Sequence, residues 1–404
     1  MRLILCFALI VAAAMAESRR VVFPAGAKPV GPYSPGIFAG DFLYVSGQGA
    51  RLPDGKFPAT PEEQIRQCLE NVKSIIDAAG LTMEHIAYSQ VYLHTSVSYD
   101  ALNKVWPQYF PKNPPARATL GVYRMPTETP VEINAVAVRA LSLKKTVSAP
   151  VLPAGATLSA GVWAGNRFYV SGMLGRDAAT GRIPESPAEQ VQLSLDRIKA
   201  ILQAAGLEFR HMVFVNPYLT RKIPMNVMNQ IYAKHFEYGN TPARATIVVN
   251  HLPRDANIVF TGVAVRDLAD RLAVRPRNMG PSPTASPCVW GGDTLYCSAK
   301  AGFIPGAHGG IYADNVEDQV RQTMRNLLDG LEEAGLDFSH VVTANVYVDN
   351  LDEFAKMNAV YGRYFPASAP PTRTTVAPLP PVERVRSASG HFPKLEEVSV
   401  VAVR

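Results

Sequence analysis

Three arginines, Arg117, Arg244 and Arg373, stand 127 and 129 residues apart, each followed by a small residue, Ala118, Ala245 or Thr374. A guanidinium is a rigid, permanently charged fork that meets a planar carboxylate through two parallel hydrogen bonds, so an arginine placed this way suits the clamping of a small acid. Glu132 follows the first of them, and its neighbours Val131 and Ile133 point to the opposite face if the segment is a strand. A carboxyl group held beside a bound acid can take and return protons, typically worth about 10²- to 10⁴-fold in rate. Tyr33, Ser46 and the Gly47 amide would add neutral hydrogen bonds. Each of these residues also has a plainer use: Arg117 as a surface ion-pair partner, Glu132 facing solvent, Tyr33 in the core, and Ser46 bonded to backbone.

These residues sit in a frame written three times. Tyr44-Val45-Ser46-Gly47, Tyr169-Val170-Ser171-Gly172 and Tyr296-Cys297-Ser298-Ala299 open the copies; Val136-Ala137-Val138-Arg139, Val263-Ala264-Val265-Arg266 and Val401-Ala402-Val403-Arg404 close them. So long a period is a domain triplication rather than a solenoid, and 404 residues accommodate three domains of ordinary size. The expected boundaries are 17–142, 143–269 and 270–404. In each copy alternating strands joined across a turn such as Gly40-Asp41 precede a helix. In the first, Thr60 is its N-cap, Pro61 its first residue and Glu63 the other half of a capping box; Ile65, Leu69, Val72 and Ile76 form one apolar face, and Gly80 ends it. Ser186, Glu189 and Gly206 repeat the pattern, as do Asn315, Asp318 and Gly335. A strand over 85–93, a shorter helix around Asn103 and two closing strands complete the unit. The order predicts an α+β fold, one sheet with both helices on one face. The other sheet face, rich in Val and Ala, needs cover, and three copies supply it if the sheets meet about a pseudo-threefold axis with helices outside.

The copies differ where chemistry would matter. Leu158 and Ala285 stand at the position of Tyr33, Val259 and Glu397 at that of Glu132, and Ala299 at that of Gly47. The second copy thus has a clamp without an acid–base group, while the third keeps Arg373 and Glu397 but inserts 382–395 between them. The expectation is at most one competent cleft, built on Arg117 and Glu132, with Arg373 and Glu397 as an impaired second pair.

Gly31-Pro32-Tyr33-Ser34, the Tyr44 to Gln48 string, Asn71 with Ala78-Ala79-Gly80-Leu81, Pro115-Ala116-Arg117 and the Val131 to Val138 string resemble the RidA (YjgF) family, whose members have been called reactive-imine deaminases and L-PSP endoribonucleases. The resemblance recurs once per copy. It implies chorismate-mutase-like units, and a trimer with ligand clefts between subunits fused here into one chain, a monomer acting as an intramolecular pseudo-trimer. It also implies hydrolysis of a 2-imino acid to a 2-oxo acid and ammonia, which needs the carboxylate held, a water placed on the imine carbon and a proton shuttle. By that resemblance Arg117, Glu132 and Tyr33 are catalytic. Ser46, Gly47, Asn103, Arg244, Arg373 and Glu397 are then substrate contacts, although Asn229 and Asn358 at the places of Asn103 favour a structural job for that asparagine. No cofactor is needed for this reaction.

Other features bound the function. Arg2, the apolar run 3–14 and Ala14-Met15-Ala16 read as a signal peptide over residues 1–16, too short to span a membrane, so the expectation is an exported protein, periplasmic or secreted, starting near Glu17. The net charge of +6 is scattered without a basic run, so no nucleic-acid footprint is visible. The eight histidines show no metal-ligand spacing. Cys288 and Cys297 face each other if Gly292-Asp293 is a hairpin turn, which predicts a cross-strand disulfide, with two buried thiols as the alternative. Export sits uneasily with a cytoplasmic supply of imines, so a non-catalytic binding module for small carboxylates is the second reading. A ribonuclease and an oxidant-responsive chaperone are weaker ones.

Overall fold

The computed structural model describes residues 19–153, 155–177, 179–305, 310–388 and 390–404; the expected signal peptide, the start near Glu17 and residues 306–309 lie outside them. The first unit runs β1 (Arg19–Val22), β2 (Gly36–Ala39), β3 (Phe42–Gly49), α1 (Pro61–Ala78), β4 (Ile86–Leu93), α2 (Tyr99–Tyr109), β5 (Ala116–Gly121) and β6 (Val131–Val138). Its sheet has the order β1-β2-β3-β6-β4-β5. All pairings are antiparallel except β4 with β5, which the crossover through α2 makes parallel.

The second unit repeats this with β7 (Lys144–Val147), β8 (Gly161–Ala164), β9 (Arg167–Leu174), α3 (Pro187–Ala204), β10 (Met212–Leu219), α4 (Met225–Tyr232), β11 (Ala243–Arg244), β12 (Ile247–Val248) and β13 (Ile258–Val265). The third has β14 (Arg271–Val274), β15 (Cys288–Gly291), β16 (Thr294–Ala301), an extra hairpin of β17 (Phe303–Ile304) and β18 (Ile311–Tyr312), α5 (Val316–Glu333), β19 (Val341–Val348), α6 (Phe354–Tyr361), β20 (Thr372–Val376) and β21 (Glu396–Val403). No helix of the described residues is long and apolar enough to cross a membrane.

Local chemistry sets the helix ends. Thr60 Oγ1 accepts from the Glu63 amide at 3.3 Å and Glu63 Oε2 accepts from the Thr60 amide at 3.1 Å, closing the capping box at the start of α1. Ser186 and Asn315 cap α3 and α5 through the amides of Glu189 and Asp318. Gly80, Gly206 and Gly335 adopt φ of +76°, +74° and +75° just past the helices, where a side chain would be strained.

Each sheet is apolar on both faces, for two different reasons. On one face α1, through Ile65, Leu69, Val72 and Ile76, and α2, through Leu102, Val105 and Trp106, share one buried cluster with Leu43, Val45, Val91 and Ile133. The opposite faces cover each other: Ile37, Phe42 and Tyr44 of the first unit, Val162, Tyr169 and Val213 of the second, and Val289, Tyr296 and Val342 of the third belong to one buried cluster. Arg167 lies in this region at 1 % exposure and touches both other units, donating to Tyr44 Oη at 2.9 Å and to Asp293 Oδ1 at 2.9 Å.

The units are also stitched edge to edge by one repeated joint. The backbone amide of Arg117 on β5 donates to Ser171 Oγ on β9, that of Arg244 on β11 to Ser298 Oγ on β16, and that of Arg373 on β20 to Ser46 Oγ on β3, each at 2.8 Å. First joins second, second joins third, and third returns to first.

Cys288 and Cys297, directly opposite on β15 and β16, form a disulfide, and Cys68 is a buried free thiol. Peptide mass mapping of unreduced protein is therefore expected to recover a Cys288–Cys297 cross-link with Cys68 alkylated only after unfolding; recovery of 288 and 297 as free thiols in protein made under oxidising conditions contradicts it.

Candidate functional site

Each arginine is mounted the same way. Its amide is fixed by the serine of the next unit, and its guanidinium is held by an asparagine of its own unit: Asn103 Oδ1 accepts from Arg117 Nη2, Asn229 Oδ1 from Arg244 Nη1 and Asn358 Oδ1 from Arg373 Nη1, all at 2.7 Å. Aromatic rings flank the charge, Trp106 at 4.7 Å from Arg117, Tyr232 at 5.1 Å from Arg244, and Tyr33, Phe354 and Tyr361 at 5.4, 5.3 and 5.1 Å from Arg373. Each arginine is thereby presented to the following unit rather than to its own sheet.

That presentation changes which residues meet. Arg117 and Glu132 do not share a cleft: Arg117 opens into the seam with the second unit, and Glu132 into the seam with the third. The expected pairing fails because β5 is the edge strand of its sheet, so the arginine on it crosses to the neighbouring unit. Arg373 and Glu397 fail to pair for the same reason. The partner of Glu132 is Arg373, in a cavity of about 150 Å³ that Tyr33, Gly47, Arg51, Thr129 and Thr375 also line. This is the seam in which a clamp, a carboxyl group and the tyrosine come together.

Glu132 is 5 % exposed, and burial pushes its pKa up to about 8 against the opposing effects of the Thr375 amide and the Arg373 charge. Burial thus favours its neutral, protonated form. Gly47 lies directly beneath it: a Cβ there would stand 1.9 Å from Glu132 Oε1. Tyr33 packs on Arg373, and its hydroxyl accepts from the Val30 amide at 3.3 Å.

Two substrate contacts expected from the sequence have other work. Ser46 Oγ accepts from the Arg373 amide and donates to Ser34 O at 2.6 Å, so its hydroxyl is spent on the joint between units. Asn103 holds Arg117 and also accepts from Thr157 Oγ1 at 2.8 Å; it is the plainer, structural reading that the geometry favours, and the asparagine that holds the arginine of the Glu132 cleft is Asn358. The recurrence of an asparagine 14, 15 and 15 residues before the arginines was the available signal.

The other two seams are altered. Arg117 meets Leu158 and Val259 where Arg373 meets Tyr33 and Glu132. In the seam of the second and third units Glu397 is ion-paired with Lys394, supplied by the insertion, and Ala285 and Ala299 replace tyrosine and glycine. Burial lowers the Arg244 pKa against the opposing effects of Tyr232 and Glu397. Among the described residues no three His, Cys, Asp or Glu side chains converge as a metal site.

Three tandem α+β units with an arginine presented across every seam define a repeat protein whose ligand-sized clefts lie between its units. Residues 25–139, 149–265 and 281–384 match the endoribonuclease L-PSP family, most of the chain, and the chain belongs to that family, known also as RidA or YjgF. A RutC family protein of Saccharolobus solfataricus is 38 % identical over 120 residues, 27 % of this chain and 89 % of the relative. Another from Pyrococcus horikoshii is 38 % identical over 127 residues, 30 % of this chain and 97 % of the relative. The crystal structure of E. coli TdcF with bound serine shows 32 % identity, with 30 % of this chain and 99 % of that chain covered and a TM-score of 0.29.

Two consequences can be measured. Gly47→Ala is expected to destabilise the protein by about 1–3 kcal/mol in urea unfolding, because the added carbon must displace Glu132 in a packed seam. Gly172→Ala, whose Cβ would meet nothing nearer than 3.1 Å, is expected to cost less. Since the folded-state pKa of Glu132 lies above its ordinary value of 4.5, its contribution to stability is full below about pH 4.5 and is lost as pH rises through about 8. Glu396, buried on the helix side of the third sheet and also pushed up to about 8, adds a loss of the same sign. Glu132→Gln should therefore remove part of the alkaline decline in unfolding free energy and leave the remainder.

Proposed function

We propose that the protein hydrolyses 2-imino acids to 2-oxo acids and ammonia in the cleft between its third and first units, the chain acting as a monomeric pseudo-trimer. The observation that carries this is the meeting of Arg373 and a buried Glu132, whose pKa burial pushes up to about 8, around a cavity of about 150 Å³. Arg373 binds the substrate carboxylate, which places the imine carbon and nitrogen over Gly47 beside Glu132. Glu132 gives its proton to the imine nitrogen, raising the electrophilicity of the carbon. The resulting carboxylate takes a proton from water as the water oxygen adds to that carbon, giving a carbinolamine. A second transfer protonates the amine and removes the hydroxyl proton, expelling ammonia and leaving the 2-oxo acid. Tyr33 closes the apolar side of the clamp.

The small cleft, in which Arg51 is bonded to the Gly55 and Thr127 carbonyls and Arg373 is the arginine beside Glu132, suits a compact acid better than a polynucleotide strand. The Cys288–Cys297 disulfide supports the further proposal that the protein is exported, since such bonds persist in oxidising compartments.

Ammonia release from freshly generated 2-iminopropanoate should fall about 10²-fold or more in Arg373→Ala and Glu132→Gln and stay at the wild-type level in Arg117→Ala. The wild-type kcat/KM should decline as pH rises through about 8, where Glu132 loses the proton it must donate, and Glu132→Gln should flatten that limb. Equal release by wild type and Arg373→Ala rules the enzymatic reading out; binding of a small carboxylate without any turnover selects the binding module.

A further inference from the structure

The segment that joins the last two strands is short in the first two units, 122–130 and 249–257, and long in the third, 377–395. The long version lies against the second unit and encloses a cavity of about 240 Å³, walled by Ile247 and Val248 of β12, Val348 of β19, and Pro378, Leu379 and Leu395 of the segment itself. Among the described residues that line it there is no arginine, so this cavity is distinct from the arginine clefts. Met225 and Val382 also line it and are each 39 % exposed, which lets a ligand reach it from solvent.

One carboxylate in this wall lacks a partner. Asp349, just past β19, accepts from the Val382 amide through Oδ1 at 3.0 Å, and its own amide donates to the Leu395 carbonyl at 2.8 Å, so it pins the long segment at two points. Its Oδ2 is buried and unbonded. Burial raises the Asp349 pKa against the Val382 amide and the Arg384 charge, as expected of a carboxylate short of donors. The cations nearby are engaged: Arg384 donates to both carboxylate oxygens of Glu353, and Lys394 pairs with Glu397. Thr246 Oγ1 on the same wall is buried without a partner as well. Two further unbonded oxygens of lining residues belong to other surroundings, the Tyr347 hydroxyl in the cluster it shares with Tyr92 and Tyr218, and the carboxyl of Glu396 with Thr323 on the helix side of the sheet. A buried carboxylate oxygen and a hydroxyl left unbonded are costly, and a cationic donor seated between them relieves both.

We propose that this cavity of the third unit binds a primary amine on an apolar body of about aromatic-ring size, its ammonium donating to Asp349 and Thr246 and its body packed on Ile247, Leu379 and Leu395. The proposal stands whether or not the Glu132 cleft hydrolyses imines.

Calorimetry on the full chain with three probes of similar shape, phenethylamine, phenethyl alcohol and phenylacetate, tests it. One phenethylamine per chain is expected, with the alcohol about tenfold or more weaker and the acid weaker still. Asp349→Asn keeps an acceptor for the Val382 amide and removes the charge, so it should weaken the amine about tenfold or more and leave the alcohol nearly unchanged, a difference that mere loosening of the long segment would not produce. Leu379→Trp, which fills the cavity from a half-buried position, should weaken amine and alcohol alike, and Glu132→Gln should leave the amine affinity unchanged. Should Asp349→Asn fail to unfold cooperatively in urea, Leu379→Trp and the order of the three probes carry the test. No amine binding at millimolar concentration, the alcohol or the acid bound as tightly as the amine, or an amine affinity untouched by Asp349→Asn would overturn it.

Discussion

A hydrogen bond of 2.8 Å from an arginine amide to a serine hydroxyl, made at each of three seams, is the constraint on which the rest of this structure depends. It fixes the edge strand of one unit against the first eight-residue strand of the next, and it fixes where the side chain of that arginine must go. With the amide tied across the seam and the guanidinium tied back by an asparagine, the charge can only face the neighbouring unit. Every cleft is therefore assembled from two units, and the chemistry of each is set by which residues happen to stand opposite.

The three copies have diverged at the facing positions and hardly at all at the mount. Serine, asparagine and arginine persist at all three seams: without the serine a buried amide is left unpaired, without the asparagine a buried guanidinium loses its acceptor, and without the arginine the asparagine carbonyl loses its donor, each a cost of about 1–3 kcal/mol. The facing residues carry no such burden. A glutamate, a valine and a lysine-paired glutamate occupy the same register on β6, β13 and β21, so one scaffold presents three seams of different polarity. Fusing the copies into one chain is what permits this, since three identical subunits would make three identical clefts.

Much of the fold was legible in the sequence. The capping residues Thr60, Pro61 and Glu63 and the glycine past each helix act through contacts three or four residues apart, so their pattern reports local structure directly. The apolar sheet face demanded cover, and the triplication said where it would come from. Arg167 was not legible, because its partners Tyr44 and Asp293 lie more than 120 residues away on either side.

The site divides along the same line. Its residue types, the clamp arginines, Glu132 and Tyr33, and the loss of partners at Leu158 and Val259 were all determined by the sequence, because chemistry resides in side chains and the repeat aligns them. The pairing was decided only by the tertiary structure. Arg117 and Glu132 are neighbours along the chain, yet a strand on the edge of a sheet hands its side chain across the boundary. The charge that reaches Glu132 therefore comes from Arg373, at the far end of the polypeptide, where only the closing of the ring brings it.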